Sequence, residues 1–159
     1  MPVKARIASS GPLYAALIQL LRTSEALWNA SRVFFERWDL SPSQFNILNL
    51  LRDHDDGLSQ IELSRELITH RSNVTGLIDR LEKRGLVERR DSAADRRAYR
   101  IQLTKAGRSL LAEILPHYYQ AAEAVWGNAS AKRATELVAE FTKISANATA
   151  MAERESRKG

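Results

Sequence analysis

Two helix starts of the same grammar, separated by one turn and followed at once by a basic hairpin, constrain this chain more than any bulk property. In Leu40-Ser-Pro-Ser-Gln-Phe45, Ser41 is an N-cap, Pro42 takes the first helical position, Gln44 closes a capping box and Leu40 staples to Phe45. The helix this starts runs to about Arg52. The cluster Asp53-His-Asp-Asp-Gly57 is a turn, and Leu58-Ser-Gln-Ile-Glu-Leu63 then repeats the pattern, with Ser59 as cap, Glu62 as box partner and Leu58 against Leu63. That third helix is short and ends near Leu67. Thr69 caps a fourth helix whose inner face carries Val74, Leu77, Ile78 and Leu81; Gly85 ends it in the left-handed position and Leu86 closes over Leu81. Val87 to Arg90 and Tyr99 to Leu103 read as short strands around the polar loop Asp91 to Ala98. Helix, turn, helix and basic hairpin in this order spell a helix-turn-helix with a two-stranded β wing.

Long helices flank that unit. The first should span Leu13 to Phe35; Thr104 caps another that Pro116 is expected to kink, and the break Gly127-Asn-Ala-Ser130 introduces a last one reaching about Arg154. At 159 residues the chain has length for one packed core rather than two ordinary domains. The reading is therefore a mainly α, single intertwined domain: residues 11–35 and 105–154 form a helical dimerisation lobe, and residues 40–104 a winged helix-turn-helix lobe. The apolar stripes of the terminal helices exceed what a lobe of this size can cover alone, which points to a homodimer. Lys4 and Arg6 ahead of the apolar run from Leu13 imitate a secretory signal, but Leu13, Leu17, Leu20, Leu21 and Leu27 keep helical spacing beyond any cleavage site. No run is long enough for a membrane span, and with no cysteine there is no disulfide, thiolate metal site or thiol redox chemistry; the location expected is cytoplasmic.

With its apolar residues inward at about 100° per residue, the fourth helix turns out Ser72, Gly76 and Lys83, flanked by Asn73, Thr75 and Arg80. Thr69, His70 and Arg71 lie at its first turn. Hydroxyls and amides meet base edges in a major groove, an arginine forks onto guanine, and a glycine lets the backbone come close. A polar helix face is by itself ordinarily just solvated; the wing beside it makes the difference. The net charge of +5 and the segment holding Arg84, Arg89, Arg90, Arg96, Arg97 and Arg100 against only Glu88, Asp91 and Asp95 favour an anionic partner. Arginine at the tip of a narrow hairpin suits a minor groove, with Asp95 to orient the guanidinium of Arg97 or Arg96. Asp79 fits poorly on a DNA-facing side unless it pairs with Arg80, Lys83 or a wing arginine.

The segments Leu63-x3-Leu67, Val74-Thr-Gly-Leu-Ile-Asp-Arg-Leu-Glu-Lys-Arg-Gly-Leu-Val-Glu-Arg-Arg90, Asp91-x3-Asp95-Arg-Arg-Ala98 and Leu103-Thr-Lys-Ala-Gly107 resemble the MarR-type regulators. The resemblance is strong from Leu40 to Leu110. It implies a dimer built mainly by the first and the last two helices, with recognition helices in successive major grooves of a pseudo-palindrome. It places base contacts around Arg71 to Thr75 and the minor-groove arginine at Arg97, supported by Asp95. Many members have Gly and then Ser ahead of the recognition helix where this chain has Ile68 and His70, which moves the cap to Thr69. Members often respond to small aromatic or phenolic ligands; Trp28, Phe34, Phe35, Trp38 and Phe45 are the candidates to line such a pocket, although aromatics at helical spacing are more often plain core.

The function expected is a sequence-specific double-stranded-DNA-binding transcriptional regulator, a repressor in the first instance, with no cofactor and no metal. An enzyme would need convergent chemistry, and His54, His70 and His117 are scattered with no serine elbow, phosphate loop or paired metal-ligand spacing. His54 among Asp53, Asp55 and Asp56 is better read as a hydrated turn than a metal site. The alternative is a basic amphipathic protein on anionic membranes or RNA. Its charge should follow one continuous helix face rather than gather in a hairpin, and the aromatic stacking platforms of single-strand binders are missing.

Overall fold

Both capping boxes form, and they set where the winged helix begins. The computed structural model describes residues 11–68, 73–91 and 99–158. Ser41 Oγ accepts the Gln44 backbone N–H at 3.2 Å while the Ser41 N–H donates to Gln44 Oε1 at 2.8 Å, starting α2 (Pro42–Leu51). Ser59 and Glu62 repeat the exchange at 3.2 and 2.7 Å to start α3 (Gln60–Glu66). Both staple pairs are buried: Leu40 with Phe45, and Leu58 with Leu63. Ahead of them α1 (Pro12–Phe35) ends in a 3-10 turn, Glu36–Trp38, which the sequence pattern did not announce. Asp39 then takes the left-handed conformation, φ 52°, and aims the chain into the second helix.

The next helix, α4 (Val74–Lys83), opens with Asn73 at its N-cap position; Thr69 and the first-turn candidates His70, Arg71 and Ser72 lie outside the described residues. Val74, Leu77, Ile78 and Leu81 are all buried, as the periodicity requires. Ten residues are too few for a stable isolated helix, and each such side chain contributes about 1.5–3 kcal/mol on burial, so packing holds α4. Gly85, φ 68°, closes it: the Leu86 N–H reaches back to the Leu81 carbonyl at 3.0 Å, and Leu86 is buried.

The sheet differs from the expected two-stranded wing. Strands β2 (Val87–Asp91) and β3 (Tyr99–Leu103) pair antiparallel with Arg89 opposite Ile101, and a further two-residue strand, β1 (Leu58–Ser59), pairs with the other edge of β3, Leu58 opposite Ile101. The order is β1-β3-β2. Two residues carry no alternation that a pattern can show, and their partner lies far along the chain; pairing is created only when the hairpin folds back. Residues 92–98 of the loop, with Asp95, Arg96 and Arg97, lie outside the described residues.

By packing, the chain divides into residues 1–113 and 114–159. In the single chain α1 packs within the first of these units. The core of the first unit gathers Ile47, Leu48 and Leu51 from α2, Leu63 from α3, Ile78 and Leu81 from α4, and Ile101 from β3, each at most 2% exposed. Thr104 caps α5 (Lys105–Trp126), its Oγ1 accepting the Gly107 N–H at 3.0 Å; Pro116 lies within that helix, which continues beyond it. In the second unit Gly127, φ 58°, ends α5, and Ser130 caps α6 (Ala131–Ser156), none of whose described residues is buried.

Candidate nucleic-acid interface

The outward face of α4 carries Asn73, Thr75, Asp79, Arg80 and Lys83, all exposed, with Gly76 half-buried among them. Arg80 and Lys83 have no hydrogen-bond or ion-pair partner among the described residues, so their charges are free to meet an anion. The Gln60 amide at the start of α3 donates to Thr75 Oγ1 at 2.5 Å, tying the first helix of the motif to the second. Gln60 was not among the candidates read from sequence; its position directly after a cap serine was the available signal. A Cβ on Gly76 would meet Asn73 Oδ1 at 2.9 Å and Arg80 Nη1 at 3.9 Å, both ends of flexible side chains, so the interior does not demand glycine here.

The arginines counted together in the sequence separate into two groups. Three face the protein. Arg84 donates to the Trp38 carbonyl at 3.0 Å and to the Asp39 carbonyl, fastening the end of α4 to the end of the 3-10 turn. Arg100 donates to the Asp56 and Gly57 carbonyls at 2.9 and 2.5 Å and closes the acidic turn. Arg89 is paired with Asp79 and Glu82, and the hydrogen bond to Asp79 is the main cause holding its guanidinium above the ordinary arginine value. Asp79 thus finds a wing arginine, one of the partners it needed. Arg90, the next residue of β2, is 62% exposed on its side chain and among the described residues pairs with Glu88 alone. The remaining members of the basic excess, Arg96 and Arg97, fall outside the described residues.

The turn aspartates are likewise engaged by arginine: Arg52 with Asp53 at 3.0 Å and Arg108 with Asp55 at 2.9 Å. Glu62 is held below the usual carboxylate range, first by the Ser59 N–H and next by the Ser59 hydroxyl, which makes its capping bonds charge-assisted at neutral pH.

The five aromatics named for a pocket are not brought together around a void; Phe34 packs edge-on to Phe35 at 5.0 Å and tilted to Trp38 at 5.3 Å. Phe35 and Phe45 stack at 4.3 Å between centroids and are buried core residues. The Trp38 indole N–H donates to Glu113 Oε1 at 2.8 Å under the Arg37 guanidinium, 3.7 Å from its ring. Trp28 is half-buried on α1. A cavity of about 290 Å³ is present nearby in sequence, lined by Arg32, Glu36 and Asp39 with Ser41, Pro42 and Gln44, and none of the five aromatics lines it.

Residues 38–98 match the model of the MarR family. The chain is 31% identical over 147 residues to the HTH-type transcriptional regulator FarR of Neisseria gonorrhoeae, covering 91% of this chain and 96% of that one. The chain belongs to the MarR family. This is a family of transcriptional regulators and not of enzymes, and its winged helix accounts for the order of α2 to β3. The transcriptional repressor MprA of Escherichia coli is 35% identical over 91 residues, 57% of this chain; that match spans about half, 52%, of the relative's length. Among solved structures, Bordetella bronchiseptica BpsR, described for the regulation of its DNA binding by 6-hydroxynicotinic acid, superposes with a TM-score of 0.66 at 25% identity over 80% of this chain and 98% of that one. No described helix of this MarR-family chain is long and apolar enough to cross a membrane.

Proposed function

We propose that this MarR-family chain is a homodimeric repressor that reads a pseudo-palindromic operator in double-stranded DNA. The observation that carries the reading is the exposed face of α4, where Thr75, Gly76, Arg80 and Lys83, the last two unpaired among the described residues, share the outer face of the helix that would be the recognition helix of a family winged helix. Arg71, Ser72, Asn73 and Thr75 would meet base edges, with Thr69 and His70 at the helix start, and Arg80, Lys83 and Arg90 would meet phosphates. Arg97, steadied by Asp95 and beside Arg96, would enter the minor groove. The likeness to BpsR, a protein whose DNA binding is regulated, supports the same mode.

Dimerisation is supported by apolar side chains that the single chain leaves uncovered at helical spacing: Leu13, Leu17 and Leu21 on α1, and Val138, Phe141, Ile144 and Met151 on α6. Such faces, from residues 11–35 and 105–154, would form the dimerisation lobe, placing two recognition helices about one DNA turn, roughly 34 Å, apart. By likeness to BpsR, release by a small aromatic anion is part of the proposal, as is action in the cytoplasm.

Selection of the purified protein on random double-stranded DNA, with the bound pool sequenced and binding repeated at two salt concentrations, tests the reading. The expected result is a pseudo-palindrome with half-sites one turn apart. Charge-dependent binding with no enriched sequence would overturn it in favour of a basic surface binder of RNA or membranes. Sedimentation at micromolar concentration tests the dimer, and a monomer there refutes it.

A further inference from the structure

We propose that Arg89 is a positioning residue of the DNA interface: gripped by Asp79 and Glu82, it sets the wing against the recognition helix and masks a carboxylate that would otherwise face the phosphates. The inference rests on the DNA-binding reading above and assigns a task to the one acidic residue that reading leaves over.

β2 is an edge strand, so one side of its backbone has no strand partner among the described residues. At Arg89 that side is occupied by α4. The Arg89 backbone N–H donates to Glu82 Oε1 at 3.2 Å, one Nη donates to Glu82 Oε2 and the other to Asp79 Oδ1. One residue of the wing is therefore held by three hydrogen bonds to two carboxylates three residues apart on the recognition helix. Residues at that spacing are neighbours on a helix face, and two unpaired carboxylates there would repel each other and any phosphate. A guanidinium suits the task because its rigid fork reaches both at once, which an ammonium does not.

Strand alternation separates Arg89 from its neighbour. Successive side chains point to opposite sides, so Arg89, 25% exposed, turns to α4 while Arg90, 62% exposed, turns to solvent. Arg90 is the phosphate ligand of the pair and Arg89 the strut. A strut and a contact make opposite predictions once Asp79 is neutral. Without Arg89 the bare Asp79 repels DNA, and that repulsion is the larger part of the loss, so removing the Asp79 charge restores most of the binding even though the tether to Glu82 stays broken. If Arg89 touches a phosphate itself, its removal costs the same whether or not Asp79 is charged.

The experiment is a double-mutant cycle of Arg89→Gln and Asp79→Asn in the full chain, with affinity measured on the selected duplex. Asparagine is isosteric with aspartate and glutamine keeps a polar, uncharged stem in place of arginine, urea midpoints report folding, and stoichiometric titration fixes the active fraction of each variant. Arg89→Gln alone is expected to weaken binding about tenfold or more, and the double variant to recover to within about threefold of Asp79→Asn alone, a coupling well outside independent behaviour. Equal losses in the two backgrounds, with a salt slope lowered by about one unit, would make Arg89 a direct phosphate ligand and overturn the proposal. Unchanged binding by Arg89→Gln would overturn it as well. A parent protein that binds no selected duplex would instead overturn the DNA-binding reading, and this inference with it.

Discussion

Replacing Gly107 with alanine tests the packing that seats the wing on α5. A Cβ at this position would stand 2.0 Å from the Leu86 carbonyl oxygen and 3.2 Å from Leu103 Cδ2. The oxygen belongs to backbone and cannot rotate away, so α5 and the start of the wing must separate by about 1.4 Å to reach ordinary contact, a strain of the size that overpacking causes, about 1–3 kcal/mol. That same carbonyl accepts the Thr104 N–H at 3.1 Å, and Thr104 Oγ1 donates to the Gly85 carbonyl at 2.6 Å while capping Gly107. Separation weakens at least one of these bonds, at about 0.5–1.5 kcal/mol each. Alanine returns up to about 1 kcal/mol in helix propensity. The net expected loss is about 2–3 kcal/mol, a large share of the roughly 5–15 kcal/mol a domain commands. With a urea slope of about 1–3 kcal/mol per molar, the midpoint should fall by about 1 M or more, followed by tryptophan fluorescence. An unchanged or raised midpoint would refute the claim that the α5 backbone lies against Leu86 this closely.

Gly76→Ala should behave in the opposite way: the urea midpoint holds or rises, by at most about 0.5–1 kcal/mol of propensity, while affinity for the selected duplex falls about tenfold if backbone and DNA meet there. Retained affinity would remove Gly76 from the interface. Arg84→Ala removes the hydrogen bonds Arg84 gives to the Trp38 and Asp39 carbonyls, and because the site is partly exposed the expected loss is about 1 kcal/mol, read by urea unfolding. Glu62→Gln keeps the capping box but removes a carboxylate whose folded-state value lies below its unfolded one. The stability that depression adds is present above the ordinary glutamate value and is lost as pH falls through the lowered one. The variant should therefore lose less stability than the parent between about pH 6 and pH 3, and identical acid profiles would refute the charge-assisted cap.

How far the sequence could be read depended on the range of the interaction concerned. Ser41 and Ser59 reach partners three residues away and Leu81 meets Leu86 across one turn, so these features stand on their own segments wherever those segments fold. β1 escaped because a two-residue strand has no pattern of its own; its hydrogen bonds belong to Arg100 and Ile101. The aromatics showed the same limit. Phe35 and Phe45 have the spacing of a pocket wall or of core, and their 4.3 Å stack shows that they pack as core.

The sequence by itself determined the starts of α2 and α3, the inner stripe of α4, the left-handed turn at Gly85 and the winged helix that follows from their order, because caps, staples and periodicity act between near neighbours. Only the tertiary structure decided which arginines remain available. Arg84, Arg89 and Arg100 are spent on a carbonyl pair, a carboxylate pair and an acidic turn, while Arg80 and Arg90 stay at the surface. Charge is a property of composition. The group that charge meets depends on which distant segments the fold brings within about 3 Å, the reach of a hydrogen bond.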